Sequence, residues 1–148
     1  MSGLLWSKEM RMRPKKEDLI LSLLYSFSLK GRDEVSIAEI MYAVQKIQEK
    51  YPLGYTFWEG LPISLGLLND LSELEFKGKV HRITYTHDAF LPKTFYKLSI
   101  LGKGRGESCM RKLDEKMKTI LENATREAIQ EYRRLWRLWR RSPVYKEF

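Results

Sequence analysis

A mostly helical α+β fold is what this sequence predicts, and three features predict it. Apolar residues recur every three or four positions over 15–29, 36–51, 63–77 and 107–141, the period of a helix with one buried face. Residues 80–85 and 94–100 alternate with the period of two expected of strands. Gly78 stands between the third helix and the first strand, where a helix should stop, because glycine reaches positive φ without a steric penalty. The stretch 63–106 is thus a helix, a tight turn and a two-stranded ribbon, and the rest of the chain is organised around it.

Composition sets the limits. With 148 residues and 43% hydrophobic side chains, the chain can bury one core with an extension. Its formal net charge of +8 points to a polyanionic partner, against the plainer reading of a solvated basic surface. Cys109 is the only cysteine, which excludes an intrachain disulfide and a cysteine metal cluster and fits a reducing interior. No apolar run spans a bilayer, and Leu4-Leu5-Trp6 is too short for a signal-peptide core. A soluble cytoplasmic protein without membrane contact is expected.

The elements follow in order. Residues 1–14 form a basic arm in which Leu4, Leu5 and Trp6 mix with Lys8, Arg11 and Arg13. It reads as a phosphate-touching arm, or as a terminus frayed or packed through Leu5 and Trp6. The helix over 15–29 carries Leu19, Ile20, Leu23, Leu24 and Phe27 on one stripe, with Glu17 and Asp18 in the first turn, where the helix dipole favours negative charge. Lys30-Gly31-Arg32-Asp33 is a turn, and Val35 adds one short strand pairing. Ser36-Ile37-Ala38-Glu39 fits a capping box, opening a helix that Pro52 ends. The connection 52–61 is long and aromatic, with Tyr55, Phe57 and Trp58; it reads as a packed loop, a partner contact or part of a DNA surface.

Pro62 suits the first turn of the third helix. On a helical wheel Ile63, Leu65, Leu67, Leu68, Leu71 and Leu74 cover the inner arc, and Gly66, Asn69, Asp70, Glu73 and Lys77 the outer one. Asn69 suits an adenine edge and Ser64 a phosphate near the helix N-terminus, while Asp70 and Glu73 would repel phosphates. The ribbon carries Lys77, Lys79, His81, Arg82, Lys93 and Lys97, followed by Lys103 and Arg105. Charge on one local element favours a nucleic-acid contact over a solvated edge protected by lysines. A helix running into a basic ribbon is the second half of a winged helix-turn-helix, and residues 15–106 are read as that domain.

Gly102-Lys103-Gly104-Arg105-Gly106 lacks the Gly-Lys-Ser/Thr of a phosphate loop and reads as a flexible corner. Residues 107–148 follow as a long helix with a basic tail. Met110, Leu113, Met117, Ile120, Ala124, Ala128, Tyr132, Leu135 and Trp139 fall about 3.6 residues apart, the period of a straight helix. So long a stripe predicts a homodimer, with Trp136 joining the interface and arginines at its rim.

Read together, Leu67, Leu71, Leu74, Glu75, Gly78 and Val80 resemble the recognition-helix pattern of the PadR-like winged-helix regulators. Tyr96-x-Leu98-Ser99-x-x-Gly102 resembles the residues that close the wing in that family and, more distantly, in MarR-like regulators. Leu68 stands where the family carries an aromatic residue. The resemblance covers about residues 15–132. It implies a winged helix-turn-helix with a C-terminal dimerisation helix, and a homodimeric transcriptional regulator.

Enzyme classes find no support. His81 and His87 are the only histidines and both lie on the ribbon, so no metal or cofactor site is expected. Cys109 reads as a buried small residue, and no Gly-x-Ser-x-Gly occurs. The leading expectation is a duplex-DNA-binding regulator whose contacts come from Ser64, Asn69, Lys77, Lys79, Arg82, Lys93, Lys97, Lys103 and Arg105. The alternative is a protein-interaction module using the loop 52–61 and the acidic face of the third helix. A small-molecule effector is compatible with either but not indicated.

Overall fold

The computed structural model describes residues 14–60, 63–85 and 93–141. Within them the order is α1 (Lys16–Leu29), β1 (Glu34–Ser36), α2 (Ile37–Lys50), α3 (Leu65–Phe76), β2 (Val80–Tyr85), β3 (Lys93–Leu98), α4 (Ile100–Lys112) and α5 (Glu115–Arg141). The protein is α+β and mostly helical. The tip 86–92, the arm 1–13 and Pro62 lie outside the described residues.

Helix α1 is the centre. Leu19, Ile20, Leu21, Leu23, Leu24 and Phe27 are all buried, together with Ser22 and Ser26, so it is covered nearly all round. It ends at Gly31, whose φ is +81°, with Arg32 N donating to Phe27 O. The capping box at Ser36 forms as expected: Ser36 Oγ accepts from Glu39 N, and Glu39 Oε1 accepts from Ser36 N at 3.1 Å. The Glu39 carboxylate is fully buried, a placement that demands a partner. Arg32 supplies it through Nε at 3.1 Å and a second guanidinium bond.

The sheet has the order β1-β3-β2, all antiparallel. Val35 pairs with Tyr96, and Val80 with Leu98, so the buried side chains Val35, Val80 and Tyr96 meet the helical core. Between α3 and β2, Gly78 has φ +73°, and Lys79 N donates to Leu74 O at 2.9 Å. That closes α3 where the glycine predicts.

Three expectations change. The glycine-rich run 102–106 is not a corner but the first half of α4. Glycine costs roughly 1 kcal/mol per position in a helix, so local propensity opposes this. Tertiary contacts win. Ser99 caps the helix by accepting from Gly102 N at 3.0 Å and donating to Gly78 O at 2.7 Å. A Cβ on Gly102 would lie 1.8 Å from Lys79 O, and one on Gly106 would lie 2.7 Å from Leu21 O. The missing side chains let α4 press its backbone onto α1 and the α3–β2 turn.

The long helix is also two helices. Leu113 leaves the helical region with ψ 146°, and Asp114 Oδ1 accepts from Met117 N at 2.8 Å, opening α5. Thirdly, the α5 stripe is covered by its own chain. Leu113, Met117, Ile120, Ala124 and Ala128 are buried in the core that α5 forms with α2 and α1. Helix α2 makes this possible by burying Ile40, Met41, Ala43, Val44 and Ile47, an arc wide enough for two neighbours. Thr125 Oγ1 donates to Ser26 Oγ at 2.9 Å, and the Arg32 guanidinium lies 5.5 Å over the Tyr132 ring. Met110 is half-buried on α4, and Leu135 is 37% exposed. The side chains of Trp136 and Trp139 lie outside the described residues.

Candidate nucleic-acid interface

Helix α3 turns Leu67, Leu71 and Leu74 inward. Leu65 does not join them: it is 57% exposed, because it precedes Leu67 by two residues, about 200° round the helix. Its outer face carries Gly66, Asn69, Ser72, Glu73 and Phe76, the last 89% exposed. Phe76 is two residues, or about 200°, past Leu74. That angle was readable in the sequence and puts a large ring on the solvent side.

Ser64 is fully buried, and its Oγ accepts from Leu67 N at 3.3 Å. It is the N-cap of α3 and has no free reach to a phosphate or base. Asn69 is exposed in the middle of the face. Its neighbour Asp70 accepts a hydrogen bond from the Tyr55 hydroxyl. Tyr55 is buried, and burial first, then Asp70, pushes its pKa well above the usual phenol value. The first half of the connection is therefore a packed loop. Gln48 clamps it, donating to Tyr55 O at 2.7 Å and accepting from Tyr55 N at 2.9 Å.

The basic residues around the ribbon come together, and most meet acids from other elements. Lys77 and Lys79 share Glu17, at 2.8 and 2.6 Å. Their hydrogen bonds, Lys77 first, hold the Glu17 carboxyl below the ordinary carboxylate value. Arg82 lies 3.3 Å from Glu75, and Arg105 lies 3.3 Å from Asp18. Lys97 stands opposite Glu34 in the register and is exposed. Lys93 is half-buried and engaged. Lys103 is exposed, without an acidic partner among the described residues.

Seven cations thus face five carboxylates: Glu17, Asp18, Glu34, Glu73 and Glu75. Lys97 and Lys103 are the two that form no ion pair among the described residues. Sequence reading assigned Glu17 and Asp18 to the helix dipole and missed their role as counter-ions. No local signal could have found pairs 60 to 87 residues apart.

The described residues hold no group of three or more His, Cys, Asp or Glu side chains arranged for a metal. Cys109 is buried, and burial raises its thiol pKa, which keeps it protonated and inert. No described helix is long and apolar enough to cross a membrane. No protein-family model matches the chain, and no curated protein or solved structure matches it significantly.

Proposed function

We propose that this chain is a winged helix-turn-helix protein of the PadR-like kind that binds duplex DNA as a homodimeric, cytoplasmic transcriptional regulator. The observation that carries the reading is topological. The order α1-β1-α2-α3-β2-β3, with β3 between β1 and β2, sets a two-stranded ribbon directly after a short third helix that packs against its first strand. Asn69 is the base-edge contact of that helix's exposed face. The ribbon and α4 supply phosphate contacts through Lys97 and Lys103, with Lys77, Lys79, Arg82, Lys93 and Arg105 behind them. Exchanging an exposed ion pair for a phosphate is cheap, since such pairs are worth about 0–1 kcal/mol.

The homodimer belongs to the same proposal and needs an interface other than the covered part of the α5 stripe. Leu135 is the outermost described stripe residue and the place to start. Light scattering of wild type against Leu135→Glu tests it: a dimer that the variant splits supports this, and a monomeric wild type removes it. For DNA, Lys97→Ala/Lys103→Ala should weaken binding to all duplexes alike, whereas Asn69→Ala should narrow the difference between sequences. Equal affinity of wild type and both variants would remove the reading.

A second reading has its own observation. Leu65 and Phe76 are large apolar side chains exposed on α3, with Glu73 between them. A protein partner would cover them. Phe76→Ala leaves phosphate contacts intact, so loss of partner binding with retained DNA affinity separates the two.

A further inference from the structure

We propose that the cleft between the start of α1, the loop after α2 and the start of α3 binds a free α-amino acid with an apolar side chain. The cleft has a volume of about 370 Å³ and is lined by Lys16, Tyr55, Trp58, Leu65 and Asp70. That is the lower end of the range for small-molecule sites. The site does not depend on the DNA-binding reading.

Two opposite charges rim the cleft without touching. Lys16 Nζ sits 4.7 Å above the Tyr55 ring, and the hydroxyl of the same ring donates to Asp70. The ammonium and the carboxylate therefore stand one aromatic ring apart. Among the described residues, Lys16 has no carboxylate partner and Asp70 no cationic one. Gln48 holds the Tyr55 backbone and Asp70 its hydroxyl, which fixes the ring that both charged groups touch. Tyr55 stays a neutral donor at physiological pH, so it does not compete as an anion.

An α-amino acid answers both charges at once. Its carboxylate and ammonium are joined through one carbon, and each needs a single charge-assisted hydrogen bond to reach its counterpart. A carboxylate or an amine alone leaves one charge unanswered. A nucleotide brings a phosphate for Lys16 but no cation for Asp70. The apolar side chain is called for by the remaining wall. Trp58 is 50% exposed and Leu65 57%, surface that a ring or a branched chain would remove from water. Gly54 and Gly66 leave the rim low: a Cβ on either would come within 3.6 Å of Lys16 Nζ or of the Tyr55 ring.

Calorimetric titration of the full chain with L-phenylalanine tests this, with L-leucine as a second ligand and three truncated ligands as controls. 3-Phenylpropionate lacks the ammonium, phenethylamine lacks the carboxylate, and glycine lacks the side chain. Phenylalanine and leucine should bind, and each control should bind more weakly by about tenfold or more. Trp58→Ala, at an exposed position that leaves the fold intact, should cost phenylalanine about tenfold. Lys16→Met should remove the advantage of phenylalanine over phenethylamine. No heat from phenylalanine at millimolar concentration overturns the proposal. So does equal affinity for 3-phenylpropionate, which would make this a plain anion site, or unchanged affinity in both variants.

Discussion

Helices α4 and α5 follow one another across a two-residue break, yet they hold to the body by opposite means. Helix α5 uses side chains: Met117, Ile120, Leu121 and Ile129 fill the space against α2 and α1, with Ala124 and Ala128 where the helices come close. Helix α4 uses their absence. Gly102 and Gly106, one turn apart, let backbone meet backbone at Lys79 and Leu21, while Gly104 between them faces open space. Apolar periodicity announces the first kind of contact and is blind to the second. A glycine-rich stretch can be a loop or a tight helical seam, and only the partner's carbonyl oxygens decide which.

The sharpest way to break this contrast is Gly102→Ala. Its new Cβ would fall on a backbone carbonyl that cannot rotate away, so the loss should be about 3 kcal/mol or more, read by denaturant unfolding. Gly106→Ala should cost somewhat less, because 2.7 Å leaves a smaller overlap. On α5, Ala128→Leu should cost about 1–3 kcal/mol by overpacking a fully buried site. Gly104→Ala should do the reverse and stabilise by about 0.5–1 kcal/mol, since the helix gains propensity and meets no neighbour. If Gly102→Ala and Gly104→Ala behave alike, the seam does not exist.

The smallest effect concerns the clamp between α1 and the ribbon. The folded state lowers the Glu17 pKa, so this pair contributes stability above the unfolded carboxyl value and loses it as pH falls through the folded one. Glu17→Gln should therefore be slightly less stable than wild type near neutrality, and the gap should close on acidification below about pH 4. A gap independent of pH would mean that the two lysines do not depend on this carboxylate.

Legibility followed the range of the interaction. The stripe of α1, the Ser36–Glu39 box, the Gly78 stop and the strand 80–85 all arise within a few residues, and all were readable; the second strand, expected over 94–100, ends at Leu98 because Ser99 caps α4. The break at Leu113-Asp114 was local too. Its signal was an aspartate three residues before Met117, hidden because the average apolar spacing runs smoothly through it. Leu113 serves the core from the break itself. The site was less readable. Asn69 and Lys103 emerge exposed as expected, but the burial of Ser64 depends on where α3 begins. The pairing of Lys77, Lys79 and Arg105 depends on acids brought in by the fold from Glu17 and Asp18. Net charge counts such cations as free, whereas the fold leaves Lys97 and Lys103 as the two of this group without an ion pair among the described residues.

Those two lysines give the DNA-binding proposal its quantitative test: the affinity of a random-sequence duplex for the full chain, followed by fluorescence anisotropy from about 50 to 200 mM salt. The expected result is saturable binding at the low end, with log affinity falling linearly against log salt. Its slope should be at least about 2 in magnitude per copy bound, and shallower when Lys97 and Lys103 are alanine. Absence of binding at the lowest salt, or affinity that salt does not change, would contradict the account.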